Sequence, residues 1–143
     1  MTDFSQEDAA LVALAAMPDG SASPIQIMKM LFLIDRKASP AFGGPKFNFV
    51  PYDYGPFDRS VYDAIDNLAT KGLVSVATGR PRTYRLTSEG KAEAAIIADR
   101  LQPAFLSYFH QLGKWIVSLG FTQLVSAIYR EFPDMRVNSV FRE

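Results

Sequence analysis

A change of periodicity near residue 72 constrains this chain more than any other feature. Upstream of it, apolar residues recur at helical spacing. Downstream, Leu73-Val74-Ser75-Val76 and Thr83-Tyr84-Arg85-Leu86 form two strand-like runs around the basic, turn-rich stretch Ala77-Thr78-Gly79-Arg80-Pro81-Arg82. Gly72 stands where a preceding helix would end in a left-handed residue. A hairpin set directly behind a group of helices leaves few ways to build a common core.

The upstream punctuation marks three helices. Ser5, followed by acidic residues and then Ala9, Leu11, Val12, Leu14, Ala15 and Ala16, reads as an N-capped helix closed by Pro18-Asp19-Gly20. Ser23-Pro24 starts a second helix, with Ile27, Met30, Leu31 and Ile34 at helical spacing, running to about Lys37. Helical period then disappears. Gly43-Gly44-Pro45 breaks the chain, and Phe47, Phe49 and Tyr52 predict a loop and a short strand before a turn at Tyr54-Gly55-Pro56. Asp58 opens a third helix on the face Val61, Ile65, Leu68 and Ala69.

After the hairpin, Thr87-Ser88-Glu89-Gly90 offers caps for a fourth helix through Leu101, which Pro103 interrupts or ends. Two more follow, over 104–119 and from Phe121 to Phe132. The expected fold is therefore mainly α (α+β): a winged helix-turn-helix with a β-hairpin wing and a helical C-terminal extension. The whole of 1–143 is expected to form one domain, with 1–91 as the winged-helix core and 92–143 as the extension. The long break between the second and third helices departs from the short turn of a simple helix-turn-helix.

Composition removes several function classes. The chain has no cysteine, hence no disulfide framework and no thiolate nucleophile or metal ligand. His110 is its one histidine, with no zinc-binding spacing around it, so neither a metal nor another cofactor is expected. The acidic N-terminus does not fit an export signal, and the apolar run 25–34 is too short to span a bilayer. A cytoplasmic protein without membrane attachment is expected. No nucleophile, base and orienting group can be named together, so the chain is expected not to be an enzyme. A carboxylate site around Asp35, Asp53 and Asp58 is the remaining catalytic alternative.

Formal net charge is zero, from 15 basic and 15 acidic residues, so any attraction to nucleic acid must be local. Residues 1–22 carry Asp3, Glu7, Asp8 and Asp19 without a base, whereas residues 71–91 carry Lys71, Arg80, Arg82, Arg85 and Lys91 against Glu89 alone. A wing tip bearing Arg80, Arg82 and Arg85 would lie beside a duplex backbone, and Arg59, Asn67 and Lys71 on the third helix are candidates to reach double-stranded DNA. Asp58, Asp63 and Asp66 on that same helix would repel phosphates. This weakens the DNA reading, towards which the architecture still leans, and strengthens a protein interface, for which Phe47, Phe49, Tyr52, Tyr54 and Phe57 are the candidate aromatic anchors, although such aromatics more often roof the core above the second helix. Asp35 and Arg36 could form an ion pair at the end of the second helix. The last two helices carry enough apolar surface to serve either a larger core or a homodimer contact.

Two stretches carry a family resemblance. One is Lys29-Met30-Leu31-Phe32-Leu33-Ile34-Asp35-Arg36, followed by Phe47-Asn48-Phe49-Val50-Pro51-Tyr52-Asp53-Tyr54-Gly55-Pro56-Phe57 and then Leu68-Ala69-Thr70-Lys71-Gly72-Leu73-Val74. The other is Leu124-Val125-Ser126-Ala127-Ile128-Tyr129-Arg130-Glu131-Phe132-Pro133. Together, over most of 24–133, they resemble the small phage-associated winged-helix proteins related to the Panacea antitoxin domain. The resemblance implies a role in mobile-element or toxin–antitoxin biology through binding a toxin, operator DNA or both. The expected function is a non-catalytic winged-helix binding protein, either a DNA-binding transcriptional regulator or an antitoxin; the alternative is a purely protein-binding module.

Overall fold

The structure, a computed structural model, describes residues 3–141; residues 1–2 and 142–143, the ends of the expected 1–143 domain, lie outside the described residues. Helix α1 (Gln6–Ala16) starts at Ser5, whose hydroxyl accepts the Asp8 N–H while the Asp8 carboxylate accepts the Ser5 N–H. Helix α2 (Pro24–Ala38) begins with the same reciprocal cap between Ser23 and Gln26. Each cap satisfies backbone groups that a helix end leaves without partners. Residues 27–34 of α2 are buried without interruption, and in α1 residues 9–14 and 16 are buried, with Ala15 alone exposed among them. Helices buried around most of their circumference are central ones.

A strand that the periodicity did not reveal lies between them. β1 (Ser21–Ala22) pairs antiparallel with β5 (Thr83–Leu86), and β5 pairs in turn with β4 (Val74–Ala77), giving the order β1-β5-β4. Two residues are too few to show alternation. Helix α3 (Arg59–Thr70) is capped by Asp58 and ends as the glycine signal predicts. Gly72 has φ +79°, its N–H bonds Ala69 O, and the Leu73 N–H bonds Leu68 O.

Between α2 and α3 the chain makes a 3₁₀ turn (Ser39–Phe42), an irregular run over 43–49, and a second hairpin of β2 (Val50–Tyr52) and β3 (Gly55–Phe57). Here the sequence reading needs correction. Gly55 and Pro56 belong to a strand, paired with Tyr52 and Pro51, and the bend falls at Asp53 and Tyr54. Pro103 likewise begins α5 (Pro103–Val117) rather than ending α4 (Ser88–Ala98), as suits a residue with no N–H to donate. Helix α6 (Phe121–Glu131) and a 3₁₀ turn (Pro133–Arg136) complete the described elements.

The fold is thus mainly helical, with a small antiparallel sheet and a separate two-stranded hairpin. One apolar core joins α1 and α2 to Leu86, Ile97, Phe109, Ile116, Leu124 and Ile128 from later elements. Contact is close enough that a Cβ on Gly113 of α5 would stand 2.6 Å from the Ala16 carbonyl oxygen of α1. No described helix is long and apolar enough to cross a membrane.

Candidate functional site

Two carboxylates hold the irregular run that leads to the β2–β3 hairpin. Asp35, near the end of α2, accepts the N–H groups of Lys46 (3.1 Å) and Phe47 (2.9 Å), and Asp58 accepts the Asn48 N–H at 2.7 Å while capping α3 through Ser60. Burial raises the Asp35 carboxyl above its ordinary value, against the lowering effect of those two N–H groups. At Asp58 burial also acts to raise, but bonds from Asn48 and Ser60 outweigh it and the carboxyl titrates below its ordinary value. Arg36 does not pair with Asp35. It reaches Asp134 at 2.9 Å and lies over the rings of Phe32 and Phe132.

The five aromatic candidates divide. Phe47 and Phe49 are half-buried against the core, with Phe49 edge-on to Phe32 at 5.4 Å, so they seat the segment. Phe57 is also partly buried but stacks on Tyr52 at 4.8 Å and meets Tyr62 of α3 at 5.9 Å. Tyr52 and Tyr54 are 52% and 44% exposed, Tyr54 resting edge-on against Phe121. The outward part of the cluster walls an open cavity of about 270 Å³, lined by the start of α2, the hairpin and Tyr62.

Sequence reasoning did not single out the residue beneath this cavity. Lys29 lines it from α2, is 2% exposed, and donates from Nζ to the Tyr54 carbonyl oxygen at 2.7 Å. Burial lowers its pKa to about 8, because an ammonium removed from water loses solvation. No carboxylate forms an ion pair with it among the described residues. Gly55 makes room for the ammonium: its φ is +118°, and a Cβ there would stand 3.2 Å from Nζ. The available signal was a lone cation inside an otherwise apolar stretch, Ile27 to Ile34.

The six nucleic-acid candidates do not form one patch of free cations. Lys71 Nζ lies 2.6 Å from Glu7 Oε1, Asn67 donates to the other Glu7 oxygen at 3.5 Å, and Arg85 is 3.7 Å from Asp19 and bonds the Asp19 carbonyl. Arg59 is 3.9 Å from Asp63 on its own helix. Arg80 and Arg82 are exposed at the β4–β5 tip and form no ion pair among the described residues. Arg82 lies close enough to Tyr62 to oppose, by its charge, the rise that burial gives the Tyr62 hydroxyl pKa.

Of the apolar surplus in and just after α5 and α6, Phe109, Leu112, Ile116, Leu124, Val125, Ile128 and Tyr129 are buried, Phe105, Leu106, Tyr108, Leu119 and Phe132 are partly buried, and Trp115, Val117 and Phe121 remain exposed. His110 is exposed, and no three His, Asp or Glu side chains cluster as a metal site would require among the described residues. Compared with models of protein families, with curated proteins and with solved structures, the chain matches none.

Proposed function

We propose that this chain is a non-catalytic winged-helix module that binds another protein through the face built by the β2–β3 hairpin, the start of α2 and Tyr62. The observation that carries this reading is the open cavity walled by Tyr52, Phe57 and Tyr62. Concave apolar surface with aromatic walls and few polar groups is the usual form of an anchor pocket. The order α1-β1-α2-α3-β4-β5, with β1 closing the sheet beside β5, supports the winged-helix part of the reading. An antitoxin that neutralises its toxin by contact would use such a face.

The test is to pan a random peptide library against the protein and against Tyr52→Asp, which changes an exposed side chain. Peptides enriched on the parent are expected to lose binding to the variant. Enrichment indifferent to Tyr52 would overturn the reading. A second reading, binding of duplex DNA, draws its support from Arg80 and Arg82, the two wing cations without ion-pair partners among the described residues. It is weakened by Asp63 and Asp66 on α3 and by the engagement of Lys71 and Arg85 with carboxylates.

A further inference from the structure

Within the cavity, Lys29 is a buried cation with no ion-pair partner among the described residues. An ammonium has three N–H donors. One of those on Lys29 meets the Tyr54 carbonyl oxygen, and no carboxylate pairs with the group among the described residues. The surrounding groups that titrate or carry charge are Tyr52, Asp53 and Tyr54 from the hairpin, Tyr62 from α3 with Arg82 of the β4–β5 tip near it, and Tyr129 from α6 with Arg136 over its ring. Asp53 stands at the exposed rim. Isolated buried charges are costly and are ordinarily paired. A cavity of about 270 Å³ is at the small end for ligand sites and suits one side chain with its immediate neighbours.

We propose that the cavity seats a single acidic side chain of a partner protein, its carboxylate meeting Lys29 Nζ and its apolar stem lying between Tyr52, Phe57 and Tyr62. This rests on the protein-docking reading above and names the anchor it uses. Charge complementarity selects the acid, and the aromatic walls select apolar neighbours for it. Asp53 at the rim repels a second acid beside the first, so the anchor is one glutamate or aspartate in an apolar setting and not an acidic run. Bound carboxylate favours the protonated amine. Affinity is therefore full near neutral pH and falls as the pH rises through the Lys29 pKa of about 8.

The test is an NMR titration of the ¹⁵N-labelled protein with an end-blocked tripeptide, glutamate between two phenylalanines, and with its glutamine counterpart. The glutamate peptide is expected to move the amide resonances of Lys29, Tyr54 and Gly55 and to bind at least about tenfold more tightly, the size of a hydrogen bond to a charged group. Its affinity should drop between pH 7 and pH 9.5. In Lys29→Met, checked for native dispersion in the same spectra, the two peptides should bind alike. Equal affinity of both peptides for the parent at these resonances overturns the acidic anchor and leaves the docking face standing. No shift from either peptide at millimolar concentration also overturns the anchor, while the docking face is judged separately by its dependence on Tyr52. Shifts caused by free 3-phenylpropanoate but by neither peptide overturn a protein as the source of the acid.

Discussion

The ammonium of Lys29 and the α-carbon of Gly55 are in such close approach that a Cβ on residue 55 would lie 3.2 Å from Nζ, on a backbone whose φ is +118°. Gly55→Ala therefore meets two obstacles together: a conformation that side-chain-bearing residues rarely adopt, and an ammonium that cannot retreat without losing its bond to Tyr54. The expected loss is about 1–3 kcal/mol in chemical denaturation. An unchanged midpoint would show that the hairpin relaxes away from α2 at no cost.

Lys29 also predicts an unusual pH dependence. The unfolded chain keeps this proton up to about pH 10.5, whereas the folded chain releases it near 8. Between those values the unfolded state binds more protons, so raising the pH favours folding. The cost of the buried charge is fully present below 8 and is relieved as the pH climbs towards 10.5. The parent is expected to gain on the order of 3 kcal/mol relative to Lys29→Met across that window. Comparing urea midpoints of both proteins at pH 7 and pH 10 removes the contribution of the tyrosines they share. A difference that does not change with pH would contradict the assignment.

Asp35 predicts a local effect. Removing its carboxylate in Asp35→Ala leaves the partly buried N–H groups of Lys46 and Phe47 without their acceptor. Stability should fall by about 1–3 kcal/mol. Amide exchange should quicken at Lys46 and Phe47 more than in α4, far along the chain. Uniform acceleration would mean that the carboxylate supports the whole fold and not this segment.

What the sequence made legible follows from how locally each feature is encoded. As caps, Ser5, Ser23 and Asp58 act on groups within three residues of themselves, and Gly72 ends α3 as its position predicts, so these helix boundaries could be read directly. The β2–β3 hairpin was harder. Its bend falls on Asp53 and Tyr54, not on the Gly-Pro pair that usually marks a turn, and Gly55 instead sits in β3, where it admits the side chain of Lys29 from α2, far earlier in the chain. The engagement of Lys71 with Glu7 and of Arg85 with Asp19 joins residues 64 and 66 apart in the chain. Charge counted along the chain gave no sign of either pairing, so the basic stretch 71–91 looked freer than it is.

Gly90 tests the packing between α4 and the end of α3. A Cβ there would fall 1.9 Å from the Leu73 carbonyl oxygen, a backbone atom that already accepts the Thr87 N–H. Gly90→Ala must push α4 away from the sheet, and an expected loss of about 3 kcal/mol or more would place it among the most damaging single substitutions. Gly43→Ala offers a contrast. Its φ is +81°, unlike that of Gly90, but open space surrounds its Cβ position, so its cost is limited to backbone strain of about 1 kcal/mol. Thermal or urea denaturation of the two variants side by side would check the order.

The β4–β5 tip separates the two functional readings. Arg80 and Arg82 are exposed and without ion-pair partners among the described residues, so replacing both by Ala should leave stability within about 0.5 kcal/mol of the parent. If this chain binds duplex DNA through the tip, the double variant should bind all sequences more weakly, and the slope of log affinity against log salt should fall by about two units as two phosphate contacts are lost. The protein-docking reading expects neither change, because random duplex would not bind measurably even at low salt. Arg82 lies near Tyr62 at the wall of the cavity, so the single variants carry information that the pair does not. Loss of peptide binding in Arg82→Ala, with Arg80→Ala unaffected, would assign Arg82 to the docking face; equal loss of DNA affinity in both would assign the tip to phosphate. Fluorescence anisotropy with labelled random duplex and with a panned peptide measures both outcomes on the same proteins.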